Sequence, residues 1–330
     1  MARVKIGIIG VGKLGNFHCN AVSKLSEAEL VGVYDSDAAR KAEIAETYRC
    51  RAFGTQAELI AAADVVGVIV PTTHHLAAVR ESLAAGKPTF VEKPIAATLA
   101  EADEMTMMAE SLGVPVQVGH IERFNPAIRA LDGYPLKPLF IESHRLAPFD
   151  PRGTDVAVIL DLMIHDIDII LSLVDSPVSA IHANGVAIVS DEADIATARI
   201  EFAGGCVANV TASRISQRKM RKMRIFQSDA YVSIDFLLKL TEVFRLSDGE
   251  GGLPSSINLG MIEKGRRQRS ILYDKPPVPE IDAMQAEWMS FFEAIKSGRT
   301  PVVSARNGRD ALAVAMQIRE KVQASFHTVG

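Results

Sequence analysis

The chain has 330 residues, 48% apolar and 23% charged, with a formal net charge of -4. That length exceeds what one core usually holds and points to two domains of unequal size, while the apolar share excludes a disordered or collagen-like chain. The slight negative charge gives no reason to expect a nucleic-acid partner.

The first residues move directly into a short apolar run, too brief for a signal peptide, and no stretch reaches the eighteen or so apolar residues of a membrane span. A cytoplasmic protein without a membrane partner is expected. Cys19, Cys50 and Cys206 are odd in number and far apart, so they read as packing thiols. No metal is expected.

Strand and helix signals alternate from the start. Val4 to Ile9 is apolar and β-branched, a helical pattern follows from Leu14 to Leu25, and Leu30 to Val33 completes a βαβ unit. Asp37 to Tyr48 has helical composition, and Thr55 with Glu58 three residues on forms a capping-box signature. Val65 to Val70 is continuously apolar, as a parallel strand covered on both faces should be, and it ends at Pro71. A helix from His75 to Ala85, a strand Thr89 to Val91, a helix capped by Thr98 and Glu101, and a strand Val114 to Val118 close the series. This alternation predicts an α/β fold: a Rossmann-type doubly wound parallel sheet over residues 1–122.

Past that point the pattern changes to longer β-like runs, Leu139 to Ser143, Ala196 to Phe202, Cys206 to Ser213 and Ala230 to Phe236, with one apolar helix, Ile159 to Leu173. These predict an α+β domain over 123–330 with a large, mostly antiparallel open sheet. Residues 247–280, rich in Gly, Pro and Ser, read as a long loop or insertion. A final helix, about 309–324, has the option of packing back on the first domain.

Gly10-Val11-Gly12-Lys13-Leu14-Gly15 is a GxGxxG motif, weak alone but here placed between a predicted strand and a predicted helix. Such glycines let a pyrophosphate approach backbone N–H groups at a helix N-terminus. Asp35, at the end of the second strand, would accept hydrogen bonds from ribose hydroxyls and repel a 2′-phosphate, which favours NAD over NADP. Arg40 keeps NADP as the less favoured alternative.

Two further groups could carry chemistry. Glu92-Lys93-Pro94 follows a strand, where a parallel sheet places its ligands, although a lysine beside a proline is by itself an ordinary exposed turn. Asp161, His165 and Asp168, spaced i, i+4 and i+7 on an apolar helix, would share one face. A core histidine satisfied by either aspartate is the alternative; a metal site lacks a third ligand. His74 and His75 follow Pro71 as a further pair.

The order GxGxxG, acidic residue, Pro-x-x-x-His, Glu-Lys-Pro and Asp-x-x-x-His resembles the Gfo/Idh/MocA family of oxidoreductases, across essentially the whole chain. The resemblance implies that Lys93, Asp161 and His165 are catalytic. Lys93 contacts the substrate hydroxyl and the nicotinamide ribose, while Asp161 and His165 orient and deprotonate the reacting hydroxyl. Imidazole, which as a residue type ionises near about pH 6.5, suits such a base. It also implies that Gly10, Gly12, Lys13, Leu14, Gly15, Asp35, Pro71, Thr72, His75, Glu92 and Lys93 hold the cofactor, that the Lys93-Pro94 peptide is cis, and that the chain forms a homodimer or homotetramer. Met163 stands where many members have glycine.

The segment Gly119 to Pro126, with Arg123 and Asn125 as expected substrate contacts, is similar to the branch of that family acting on C3 of UDP-N-acetylhexosamines. Arg214, Arg218, Lys219, Arg221, Lys222 and Arg224 lie together without an acidic neighbour, and Arg214, Arg218 and Arg221 are the candidates for a diphosphate, whose oxygens suit arginine forks. A solvated strand face is the plain alternative, and the second basic run, Lys264 to Arg269, reads as solvated. An inositol or free-sugar dehydrogenase has no need of the cluster. A non-catalytic dinucleotide-binding regulator has no need of Lys93, Asp161 and His165.

Overall fold

The computed structural model describes residues 3–150, 156–248, 256–264 and 267–326. The chain divides into two compact units, residues 1–124 with 281–313 and residues 125–280 with 314–330.

The first unit is built on six parallel strands in the order β3-β2-β1-β4-β5-β6. They are β1 (Val4–Ile9), β2 (Ala28–Tyr34), β3 (Arg51–Ala52), β4 (Val65–Val68), β5 (Thr89–Glu92) and β6 (Val116–Gly119). Helices α1 (Lys13–Ser23), α2 (Ala38–Tyr48), α3 (Gln56–Ala62), α4 (His75–Ala84) and α5 (Leu99–Leu112) alternate with them. Every residue of β4, β5 and β6 is buried, and for β4 that cover on both faces accounts for the continuous apolar run in the sequence. Thr98 and Glu101 form the complete capping box of α5, and Gly113 ends that helix in the left-handed conformation, φ 64°. The strand order reverses between β1 and β4, and ligands of such sheets bind outside the carboxyl ends of the strands at that reversal.

The second unit carries the short helix α6 (Pro126–Arg129), strand β7 (Phe140–Leu146) and helix α7 (Ile164–Leu173). The strands β8 (Val178–Val186), β9 (Ile195–Phe202), β10 (Val207–Ser213), β11 (Met220–Phe226), β12 (Ala230–Asp235), β13 (Leu240–Ser247), β14 (Ile257–Lys264) and β15 (Arg267–Asp274) follow. They join β7 in a nine-stranded sheet in which β7 and β10 are the one parallel pair among the described residues. Ile141, Ser143 and Arg145 of β7 are buried on the face covered by α7, to which Arg145 is tied through Asp166. The opposite face carries a row of rings in contact, Phe140, Phe226, Tyr231, Phe244 and Tyr273, with centroids 5.0 to 5.9 Å apart.

Three sequence expectations change. Residues 247–280 are not simply a loop, because β14 and β15 pair antiparallel there. Gly260, with φ 128° beside a register shift, breaks the alternation that would have signalled the hairpin. Part of the second basic run lies outside the described residues. The helix expected from Ile159 opens as a π-helix, Ile159–Met163, before α7. The extra residue in that turn rotates Asp161 relative to α7, so the three polar groups do not form one uniform stripe: Asp161 is exposed, His165 half-buried and Asp168 buried.

The third change concerns the end of the chain. Helix α8 (Ala283–Ser297), capped by Asp282, has no counterpart in the sequence reading, and α9 (Ala305–Phe326) begins earlier than expected. Trp288, Phe291 and Phe292 of α8 join Ile6, Ile8 and Phe90 in the core of the first unit. Residues 281–313 therefore cluster with the dinucleotide-binding fold rather than with the second domain, since three large apolar side chains are buried there. The thiols of Cys19 and Cys50 are pushed up by burial to about 12 and about 11, so neither is a ready nucleophile.

Candidate active site

At the carboxyl end of β1 the chain turns through Gly10, with φ 88°, into α1. A Cβ on Gly15 would stand 2.0 Å from the carbonyl oxygen of Gly10, so only glycine lets the helix start this close to the turn. Gly12 is different, because a Cβ there would meet nothing within 4 Å. The protein leaves open the space that this residue faces, and Lys13 and Leu14 beside it are exposed at the helix N-terminus.

Asp35 closes the other side. Its carboxylate accepts from the amides of Val11 (2.7 Å) and Asp37 (2.9 Å), which fixes both oxygens while leaving lone pairs for further donors. Arg40 donates to the Val11 carbonyl (2.9 Å) and to Glu43 (2.8 Å), so its guanidinium is engaged by the protein. A cavity of about 350 Å³ is lined by Gly10, Gly12, Asp35, Pro71 and His74 among others. A larger one, about 560 Å³, lies at the opposite ends of β5 and β6 beside Pro88 and Pro115, away from the glycine turn. The open ground at Gly12, the helix N-terminus and the acidic residue at β2 fit a dinucleotide with free ribose hydroxyls.

His75 is buried. Its Nε2 lies 3.0 Å from the Val70 carbonyl, and its Nδ1 lies 3.1 and 3.2 Å from those of Pro94 and Ile95. Burial lowers its pKa below the usual histidine value, outweighing the carbonyl contacts that raise it. The ring thus links the end of β4 to the loop after β5. Its neighbour His74, not singled out as a cofactor contact from the sequence, lines the cavity instead. Thr72 is half-buried in the turn before α4.

Glu92 ends β5 as a buried side chain, and the half-buried Lys93 follows it through a cis peptide to Pro94. Arg123 is half-buried and donates to the Val302 carbonyl at 3.4 Å. Within the second unit, Asn125 caps α6 by accepting from Ala127 N–H (3.0 Å) and donates to the Phe236 carbonyl (3.3 Å), a role in holding the backbone.

The basic cluster divides. Arg214 is buried, lies 3.8 Å from Asp194 and donates to the Val156 carbonyl, so its guanidinium is committed to the protein. Arg218 is exposed in the turn before β11. On β11, Lys222 and Arg224 face away from α7 and pair with Asp235 (3.2 Å) and Glu142 (3.0 Å). Arg221 stands opposite Arg145 in the register and therefore points to the α7 side of the sheet. Sequence reasoning missed a buried ion pair of this unit: Arg145 donates to both oxygens of the Asp166 carboxylate, at 2.8 and 3.0 Å, with both side chains 2% exposed. An arginine in a strand and an aspartate beside His165 gave no spacing signal to connect them.

Residues 4–120 match the profile of the oxidoreductase family with an NAD-binding Rossmann fold, GFO_IDH_MocA, and residues 141–233 match the C-terminal domain of the same family. The chain belongs to the Gfo/Idh/MocA family. Its similarity to the UDP-N-acetylglucosamine 3-dehydrogenase of Acidithiobacillus ferrooxidans is 38% identity over 98% of this chain and 99% of that one. A solved structure of that enzyme superimposes with a TM-score of 0.87 at 37% identity, covering 98% and 99% of the two chains. The myo-inositol 2-dehydrogenase of Thermotoga maritima is 26% identical over 97% of this chain and 96% of its own. As a Gfo/Idh/MocA member the chain is an NAD-binding oxidoreductase. No helix among its described residues is long and apolar enough to cross a membrane.

Replacing Asp35 with asparagine is expected to weaken NAD binding by roughly tenfold or more, since a hydrogen bond to a charged group contributes about 1.5 to 3 kcal/mol. NADP should lose less, because the charge that repels a 2′-phosphate is gone. Calorimetric titration of both cofactors checks this; equal losses for the two would reject the ribose role.

Proposed function

We propose that this chain oxidises the C3 hydroxyl of a UDP-N-acetylhexosamine with NAD, using Lys93, Asp161 and His165. His165 removes the proton from the hydroxyl, Lys93 stabilises the negative charge developing on that oxygen, and Asp161 fixes the imidazole or a neighbouring hydroxyl. NAD, when bound, accepts the hydride that leaves the carbon. The observation that carries the substrate reading is the position of Arg221: of the three cations on β11 it is the one directed to the side of the sheet that α7 covers, the helix of His165. A diphosphate needs such a cation, and a free polyol does not. The 38% identity to a UDP-N-acetylglucosamine 3-dehydrogenase supports the same reading.

The experiment is a panel of UDP-sugars, inositol and free sugars with NAD, following reduced cofactor by absorbance. A higher kcat/KM for inositol or glucose than for UDP-N-acetylglucosamine overturns the substrate assignment, and no turnover on any of them favours the regulator. Arg221→Ala is expected to raise KM for the UDP-sugar by roughly tenfold or more. Arg224→Ala, which removes a cation facing the other way, should leave KM unchanged. Equal effects in the two variants would defeat the diphosphate role.

The row of rings from Phe140 to Tyr273 supports a further part of the reading, a homodimer or homotetramer packed through that face. Phe226, second in the row, is 38% exposed. Light scattering should give a mass above that of one chain at micromolar concentration; a monomer there rejects it.

A further inference from the structure

The first unit contains a buried polar chain that ends at Lys93. The indole N–H of Trp288 lies 3.1 Å from Nδ1 of His18, and Nε2 of His18 lies 2.8 Å from Oε1 of Glu92. The other oxygen of that carboxylate accepts from the backbone N–H of Lys93 at 3.0 Å. Trp288 and His18 are fully buried and Glu92 nearly so. The elements come from three distant parts of the sequence, α8, α1 and the end of β5.

Hydrogen-bond chemistry settles the direction of every link. An indole N–H can only donate, so Nδ1 of His18 must accept and its single proton sits on Nε2, which donates to Glu92. The imidazole is therefore neutral and the negative charge stays on the carboxylate. Burial by itself pushes the Glu92 carboxyl up, and the bonds from His18 and the amide of Lys93 act against that push. The surroundings make room for this arrangement. A Cβ on Gly119, the β6 partner of Glu92, would stand 2.8 Å from that carboxylate, and a Cβ on Gly67 would stand 3.2 Å from the indole. Phe90 stacks on Trp288 with centroids 4.6 Å apart, holding the ring in place.

We infer that Trp288 and His18 are positioning residues, which hold Glu92 as an oriented anion so that it fixes the backbone, and with it the charge environment, of Lys93. The inference rests on the assignment of Lys93 to the reaction but reaches residues that do not touch substrate. A core of equal volume could have been built from apolar side chains at lower desolvation cost, and a donor-only indole aimed at a histidine nitrogen selects one tautomer.

The tautomer is directly measurable. In protein labelled with nitrogen-15 at histidine, His18, identified by its loss in His18→Gln, should show a protonated Nε2 and an unprotonated Nδ1. The chain has one tryptophan. Its single indole N–H signal should move in His18→Leu. A protonated Nδ1 in the wild-type protein overturns the inference whatever the variants do.

Kinetics on the UDP-sugar supply the second readout. Trp288→Phe keeps an aromatic, though smaller, ring and loses the donor, and His18→Leu loses both links; each should lower kcat roughly fivefold, the scale of one hydrogen bond, with KM for NAD held. His18→Gln, whose amide can accept from the indole and donate to Glu92, should restore kcat. Equal losses in His18→Leu and His18→Gln, or wild-type kcat in Trp288→Phe, would overturn the inference. Lys93→Ala in the same assay separates the cases: if it turns over like wild type, the assignment of Lys93 has failed, while the tautomer result still judges the chain of bonds.

Discussion

His165→Ala is expected to lower kcat by roughly 10²- to 10⁴-fold, the range of a general base removed from its transition state. Lys93→Ala should cost a comparable factor, because a cation facing a developing alkoxide acts most strongly where the charge forms. His165 is half-buried on α7, just past the π-helical turn that carries Asp161. A turn with an extra residue recurs at functional sites because it re-aims the side chains it carries, and here it leaves Asp161 exposed while the following helix stays in the core. The measurement is steady-state turnover of the UDP-sugar at saturating NAD, with cofactor binding followed separately by titration. NAD affinity should survive His165→Ala, whose residue lies outside the first unit. If both variants turn over within a few-fold of wild type, the catalytic assignment is wrong, whatever substrate the enzyme uses.

The largest stability effect is expected at Arg145 and Asp166. Their side chains form two hydrogen bonds, at 2.8 and 3.0 Å, with each group 2% exposed, and they tie α7 to β7. The Arg145 guanidinium also lies over the Phe236 ring, 5.9 Å from its centroid. Asp166→Leu alone should cost about 3 to 5 kcal/mol, because it takes both hydrogen bonds and the Asp166 charge away from a buried guanidinium. The pair changed together, Arg145→Met with Asp166→Leu, should cost far less, since neither partner's charge is then left behind in the core. Urea unfolding of the two single variants and the double variant makes the comparison. A double variant as unstable as the singles would show that packing, not the uncompensated charge, dominates. Asp166 adjoins His165 in the chain, so the single variants should also lose turnover at temperatures where they remain folded.

How much of this was legible in the sequence depends on how local each signal is. The dinucleotide-binding turn was readable because Gly10 and Gly15 are required by backbone geometry, Gly12 faces open space, and Asp35 follows at the end of the next strand. The caps at Thr55, Thr98 and Gly113 were readable for the same reason, since a cap is settled within one turn of helix. The alternation of strand and helix determined the Rossmann order, and the longer β runs determined a second, mostly antiparallel sheet.

Pairings across long sequence separations were fixed only when the chain closed into its folded units. Nothing near Trp288 announces that it reaches His18 and Glu92, and nothing near Arg145 announces Asp166. The basic cluster read as one feature, yet strand register sends Arg221 to one face and Lys222 and Arg224 to the other, while Arg214 turns inward to Asp194. The segment 281–313 returns to the first unit because Trp288, Phe291 and Phe292 gain more by burial in that core than the order of the chain could reveal. A motif records what the backbone must do locally; which distant side chain satisfies a buried charge is determined only when the core closes around it.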